Sequence, residues 1–179
     1  EGDRIVEVDG TPFGDHQRTT HQHDLSAVKI EVPVIPPTFY AVGFNYTEHI
    51  LKVAARTGQS PTLQTQPDVG QRTNNGLIAH GEAVVIPHDA TDAVQYEGEL
   101  VVVIGKQAKH LSEAEALSCV LGYTIGNDVS ERSWQKSDRT LWRAKGPDTW
   151  KPMGPWIETD VDLDALETIV KVNGQETTR

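Results

Sequence analysis

One segment constrains this chain more than any other: Tyr96-Glu97-Gly98-Glu99-Leu100-Val101-Val102-Val103-Ile104. A run of β-branched residues fills its second half, which favours a strand. Strand side chains alternate between faces. Glu97, Glu99, Val101 and Val103 therefore share one side, and Tyr96, Leu100, Val102 and Ile104 share the other. The second side is expected to lie against the core. Two carboxylates side by side on one face repel each other unless something neutralises them. A divalent cation does so; a solvated strand edge with incidental charge is the plain alternative.

The rest of the chain reads as short strands joined by polar turns. Residues 4–8 alternate like a strand, followed by the turn signal Asp9-Gly10-Thr11-Pro12. Residues 14–24 read as an exposed loop holding His16, His21 and His23, with no Cys nearby and no regular element to fix a ligand spacing. Residues 32–37 form a Pro-punctuated connector, so a boundary is placed at Pro37, between a small N-terminal region (1–37) and a main domain (38–179). Residues 39–44 read as a buried strand and 50–56 as a helical turn or two before Gly58. Residues 59–76 read as a long lid or binding loop. Short strands are expected at 77–79 and 83–86. Ser112 and Glu115 have capping-box spacing ahead of a short amphipathic helix closed by Gly122. Strands follow at 123–127 and at 169–172, where Asn173-Gly174 signals a type I′ turn into a return strand at 175–179. The fold class is mostly β (α+β). A chain ending on so polar a return strand is expected to be C-terminally incomplete, because an isolated hairpin buries little.

Asp and Glu outnumber Lys and Arg by 26 to 16, a formal charge of −10. Long-range repulsion of that sign opposes nucleic acid and anionic membrane as partners. It does not oppose a small anionic substrate, because a site can be locally positive. A single cysteine, Cys119, excludes an internal disulfide framework and fits a reducing, cytoplasmic setting.

Asp128 ends another strand-like run, Tyr123-Thr124-Ile125-Gly126-Asn127-Asp128. With Glu97 and Glu99 it makes an all-oxygen donor set, which suits Mg²⁺, Mn²⁺ or Ca²⁺ over Zn²⁺ or Cu²⁺. Arg132, Gln135 and Lys145 follow. They are either ion-pair partners of the carboxylates or groups that hold a substrate carboxylate or a developing oxyanion.

These residues together resemble the fumarylacetoacetate hydrolase superfamily. The matching stretches are Gly43-Phe44-Asn45-Tyr46 with His49, Tyr96-Glu97-Gly98-Glu99-Leu100 running into Val103-Ile104-Gly105-Lys106, and Gly122-Tyr123 through Asn127-Asp128-Val129-Ser130. Arg132, Gln135, Lys145 and Gly154-Pro155-Trp156-Ile157 follow in the family's order. The resemblance implies a mixed β-roll with short helices, a homodimer, and a metal-dependent enzyme acting on a 2-oxo or β-diketo acid. Hydrolytic carbon–carbon cleavage is the leading activity, with decarboxylation, isomerisation or non-catalytic metal and carboxylate binding as alternatives. It implies Glu97, Glu99 and Asp128 as ligands of Mg²⁺ or Mn²⁺, and His49 as general base. Lys145 is implied as a catalytic group that also binds substrate, alongside Tyr46, Arg132 and Gln135. Two departures stand out. Lys52 occupies the place of the Glu that pairs with the histidine in many members, and Gln64 and Gln66 stand ahead of Pro67 where members often carry a Phe and a Lys.

Overall fold

A computed structural model describes residues 3–178. The chain opens with an antiparallel hairpin, β1 (Arg4–Gly10) and β2 (His16–Asp24). The segment expected to be a loop is thus mostly strand. Its polar composition hides this, because β2 is exposed along almost all of its length and carries no apolar alternation. Next come β3 (Phe39–Gly43), α1 (Thr47–Thr57) and β4 (Asp68–Arg72), with β3 and β4 paired antiparallel in full register. α1 ends at Gly58 in the left-handed conformation, φ 69°. The expected long loop therefore contains a strand, recruited by main-chain pairing with β3 rather than by its own side chains.

The central sheet comprises β5 (Leu77–Ile78), β7 (Gly98–Ile104), β8 (Val120–Asn127) and β10 (Lys151–Glu158), ordered β5-β10-β8-β7. β5 lies parallel to β10 and the other pairs are antiparallel. Between these elements sit β6 (Val94–Gln95), paired with β9 (Ser130–Glu131), and two single-turn helices, α2 (Arg132–Gln135) and α3 (Trp142–Lys145). A final hairpin, β11 (Val170–Val172) and β12 (Gln175–Thr178), turns through Asn173 and Gly174, both at positive φ as the type I′ signal requires. Arg179, the end of the expected return strand, lies outside the described residues.

Three local expectations are corrected. Residues 83–86 form no strand: the Val85 N–H donates to Thr149 Oγ1 and its carbonyl accepts from Trp150 Nε1, so side chains take the place of a ladder. The capped helix is a 3-10 helix, Glu113–Cys119, whose Ser112–Glu115 box is present. Gly122 does not cap it; it lies within β8, where a Cβ would strike the Glu158 carbonyl of β10.

The orientation of β7 is the most consequential correction. Val103 is 5% exposed, whereas Val102 is 46% and Ile104 56% exposed. The core therefore lies on the glutamate face, together with Ile78, Val129, Ala144, Trp150 and Met153. Among the described residues, nothing covers Val102 or Ile104. The register pairs Leu100 with Ile125, itself exposed, so the open face continues onto β8. The total surface of 13,364 Å² far exceeds the roughly 8,600 Å² expected of a compact monomer of this mass.

Candidate metal centre

The β7–β8 ladder assembles the acidic cluster. Gly98 pairs with Asn127 and Glu99 with Gly126, and the pairing runs on past the strand ends. The Asp128 N–H donates to the Glu97 carbonyl at 2.9 Å, and the Glu97 N–H donates to Asn127 Oδ1 at 2.9 Å. This brings oxygens of Glu97, Glu99 and Asp128 within 4.8 Å of one another. Gly126 is required opposite Glu99, because a Cβ there would come within 2.7 Å of Val101 Cγ2.

Two short helices deliver cations to this cluster. At α2, the buried Glu131 carboxylate accepts from the Trp134 N–H and from the Ser133 and Thr91 hydroxyls. That N-cap fixes the helix on which Arg132 stands. Arg132 donates to Glu97 Oε1 at 2.5 Å, to Gln95 Oε1 at 2.9 Å and to Gln135 Oε1 at 3.0 Å. At α3, Asp138 Oδ2 accepts from the Ala144 N–H, and Lys145 projects inward. Its buried Nζ donates to Glu97 Oε2 at 2.5 Å and to Asp128 Oδ2 at 2.6 Å.

Two further cations were not anticipated. Arg72, at the end of β4, grips both oxygens of Asp128. Lys151, on β10, places its Nζ 3.0 Å from Asp128 Oδ1 and donates to the Val129 and Trp150 carbonyls. The arginine stands in a polar stretch with no visible periodicity, so no sequence signal marked it. The lysine did leave a trace: a charged residue between Trp150 and Met153, in an otherwise apolar strand, is rarely buried without a partner.

The electrostatics divide the three carboxylates. Burial alone would raise Asp128, but the Arg72 hydrogen bonds and the Lys151 and Lys145 charges hold it well below the usual carboxylate range. Glu99 goes the other way: burial, reinforced by the Asp128 and Glu97 charges, raises it to about 7. Lys151 is lowered to about 8 by burial, against the pull of Asp128. No side chain among the described residues donates a hydrogen bond to the Glu99 carboxylate.

Glu97, Glu99, Asp128, Arg132, Gln135 and Lys145 therefore meet in one place. Tyr46 and His49 are not joined to it by any side-chain hydrogen bond among the described residues. Both are exposed at the start of α1, and the His49 ring lies 6.1 Å from that of Phe44. Phe44, Asn45 and Ile50 line a cleft of about 350 Å³ with Gln64, Gln66 and Asp68. Trp150 is buried and stacks on Trp134 at 6.3 Å, beneath the Arg143 guanidinium, while Trp142 is 66% exposed.

Comparison with known proteins agrees with this architecture. Residues 38–179 match the family model described as fumarylacetoacetate (FAA) hydrolase, C-terminal. The structure of a 2-hydroxyhepta-2,4-diene-1,7-dioate isomerase from Mycobacterium marinum superposes with a TM-score of 0.84 at 36% identity, covering 98% of this chain and 63% of that one. A 2,4-didehydro-3-deoxy-L-rhamnonate hydrolase from Sphingomonas is 37% identical over 75% of this chain and 46% of its own length. The oxaloacetate tautomerase YisK of Bacillus subtilis is 32% identical over 86% of this chain and 51% of its own. The chain belongs to the fumarylacetoacetate hydrolase family, whose members include hydrolases, isomerases and tautomerases. It spans about half the length of these two curated relatives.

Proposed function

We propose that this chain carries the metal-binding part of an enzyme acting on a small 2-oxo or β-diketo acid. The observation that carries the reading is the carboxylate triad of Glu97, Glu99 and Asp128, ringed by Lys145, Arg132, Arg72 and Lys151. The donor set fits a hard divalent cation such as Mg²⁺ or Mn²⁺. All three donors are oxygens, and half-buried Glu99 accepts no side-chain hydrogen bond among the described residues and is raised by burial against the pull of Lys145 and Arg72, so a bound cation would ionise it. A divalent ion held there would supply a Lewis acid to the oxygens of a 2-oxo acid.

The chain's own side chains do the rest. Four cations outnumber three carboxylates, so the site favours an anionic substrate despite the acidity of the whole chain. Arg132 and Lys145 present donors already held in place, where negative charge on a substrate oxygen would develop. Gln135, tied to Arg132, would orient a substrate oxygen. In a hydrolytic reaction His49 would take a proton from water, and Tyr46, exposed just ahead of α1, would bind substrate.

One observation favours the isomerase or tautomerase reading over carbon–carbon hydrolysis. A base that activates water is held by a partner, and no carboxylate among the described residues pairs with His49; Lys52 stands one turn on. Proton transfer next to a carbonyl needs no activated water. Thermal melts with Mg²⁺, with oxalate and with both test the common core, since oxalate resembles the planar enolate of a 2-oxo acid. Oxalate should stabilise only when metal is present; no response to either would end the proposal. Product analysis separates the activities: pyruvate plus a free acid from an acylpyruvate marks hydrolysis, and interconversion of keto and enol oxaloacetate marks tautomerisation.

A further inference from the structure

Glu131 is 0% exposed, and no lysine, arginine or histidine pairs with it among the described residues. The arginines of this region are engaged elsewhere, Arg132 with Glu97 and Arg143 with Asp89. A buried carboxylate is costly unless its oxygens are satisfied. Here three neutral donors satisfy them: the Trp134 N–H, the Thr91 hydroxyl, and the Ser133 hydroxyl, which lies 2.8 Å from Oε1 and 2.7 Å from Oε2. Those donors belong to two separate segments. Ser133 and Trp134 stand in α2, whose four residues are far too few to hold a helix on their own. Thr91 lies just ahead of β6, and its Oγ1 also accepts the Ala93 N–H at 3.1 Å. From there the chain runs to Gln95 and Glu97, the two residues on that segment that accept from the Arg132 guanidinium. The Arg132 N–H itself donates to the Ala93 carbonyl at 3.0 Å. One carboxylate thus pins the helix that carries Arg132 to the segment that carries its partners.

We propose that Glu131 is a positioning residue for substrate: it sets where the Arg132 guanidinium stands, and so governs the affinity for an anionic 2-oxo acid without governing that for the metal. The inference rests on the reading of Arg132 as a donor to substrate oxygens. The metal ligands are placed independently, because the β7–β8 ladder and its continuation fix Glu97, Glu99 and Asp128. Arg132 has no such ladder, and depends on how α2 is seated. A glutamine at position 131 would keep the shape of the side chain but turn an amide N–H₂ toward one of the three donors, leaving that donor unpaired. The expected result is a loosened α2 and an arginine that no longer waits in place.

The test titrates oxalate into the Mg²⁺-loaded whole chain by calorimetry, for wild type, Glu131→Gln, Arg132→Ala and the double variant. Oxalate affinity is expected to fall about tenfold in Glu131→Gln, the scale for a group that orients a ligand-binding side chain, while Mg²⁺ affinity stays at the wild-type level. In the Arg132→Ala background the same substitution should cost nothing further, because its effect passes through that side chain. The Arg132 Nε–H resonance gives a readout without metal: held to Gln95 in wild type, it should exchange faster with water in Glu131→Gln. Thr91→Val removes the anchor outside α2 at an exposed position and should lower oxalate affinity in the same direction. It decides the question if Glu131→Gln does not fold, since unchanged oxalate affinity in Thr91→Val would then overturn the proposal. A lowered melting temperature with unchanged oxalate affinity and an unchanged Arg132 resonance would mark a purely structural carboxylate and overturn it too, as would an equal further loss in the Arg132→Ala background. Failure of the wild type itself to bind oxalate with Mg²⁺ would end the underlying reading of the site, and this inference with it.

Discussion

Arg72 holds Asp128 through two parallel hydrogen bonds, Nε to Oδ1 at 2.9 Å and Nη2 to Oδ2 at 2.7 Å, across 56 residues of sequence. The pair ties the β3–β4 hairpin to the end of β8 and sets the angle at which Asp128 meets the two glutamates. Both side chains are about 95% buried, so solvent does little to weaken the fork.

Replacing this arginine should therefore cost more than a surface charge would. Arg72→Ala leaves Lys145 and Lys151 on Asp128 and is expected to destabilise by about 2 kcal/mol, less than the loss of an only partner. Arg72→Lys keeps the charge but loses the planar fork and should fall between the two. Urea denaturation of the three proteins checks the order; equal stability of Ala and wild type would show that the fork contributes nothing.

Glu99 predicts a pH dependence of the metal-free chain. Its folded-state value of about 7 lies above the ordinary 4.5, so between these the folded state keeps a proton that the unfolded state has released. Stability must then fall as pH rises from about 4.5 to about 7, by something on the order of 3 kcal/mol. Asp128 acts in the opposite sense and at lower pH, where protonation removes the stabilisation its cations provide. Glu99→Gln should flatten the decline above pH 4.5, and denaturation curves at about pH 5 and about pH 7.5 measure it.

Metal should reverse that decline. A divalent ion at 100 times its dissociation constant would add about 2.7 kcal/mol, with an effect that grows as Glu99 ionises. The melting temperature should rise by about 5–10 °C at neutral pH and much less near pH 5. Glu99→Gln is expected to lose most of the rise at both.

Lys145 bridges Glu97 and Asp128 and faces the position assigned to substrate oxygens. Lys145→Met is expected to lower turnover by about 10²–10³-fold, the scale of removing one held donor from a developing oxyanion. Magnesium should still raise the melting temperature of this variant, because all three carboxylates remain; a lost metal response would assign the lysine to cluster assembly instead.

Leu100, Val102, Ile104 and Ile125 form an apolar sheet face with no cover among the described residues, on a chain whose surface is about half again too large for a compact monomer. The chain by itself should bind a hydrophobic dye or self-associate in sedimentation velocity. Val102→Lys/Ile125→Lys should reduce both while leaving the Mg²⁺ response intact.

Much of the centre was legible because alternation and spacing are local. Glu97, Glu99 and Asp128 sit on or beside strands whose residue types declare them, and their charges have few stable neighbours other than cations. The hairpin turn at Asn173-Gly174 was readable for a similar reason, since positive φ at both positions favours those residues. β2 and β4 were not readable, because main-chain pairing rather than apolar patterning makes them strands. Arg72 and Lys151 were hidden for the same reason: nothing near them in sequence says where their side chains end.

Alternation alone puts Glu99, Val101 and Val103 on one side of a strand and Leu100, Val102 and Ile104 on the other, because the pleat alternates whatever the surroundings. Which side is the interior depends on contacts from distant parts of the chain. Val103 is buried on the glutamate side, where the core lies; β8 and β10 stand beside β7 in the same sheet and cover neither face. Ile104 stays exposed because no described element reaches the other face. A strand's period fixes relative orientation, but burial depends on which elements arrive from elsewhere in the chain, and that arrival also put four cations around three carboxylates.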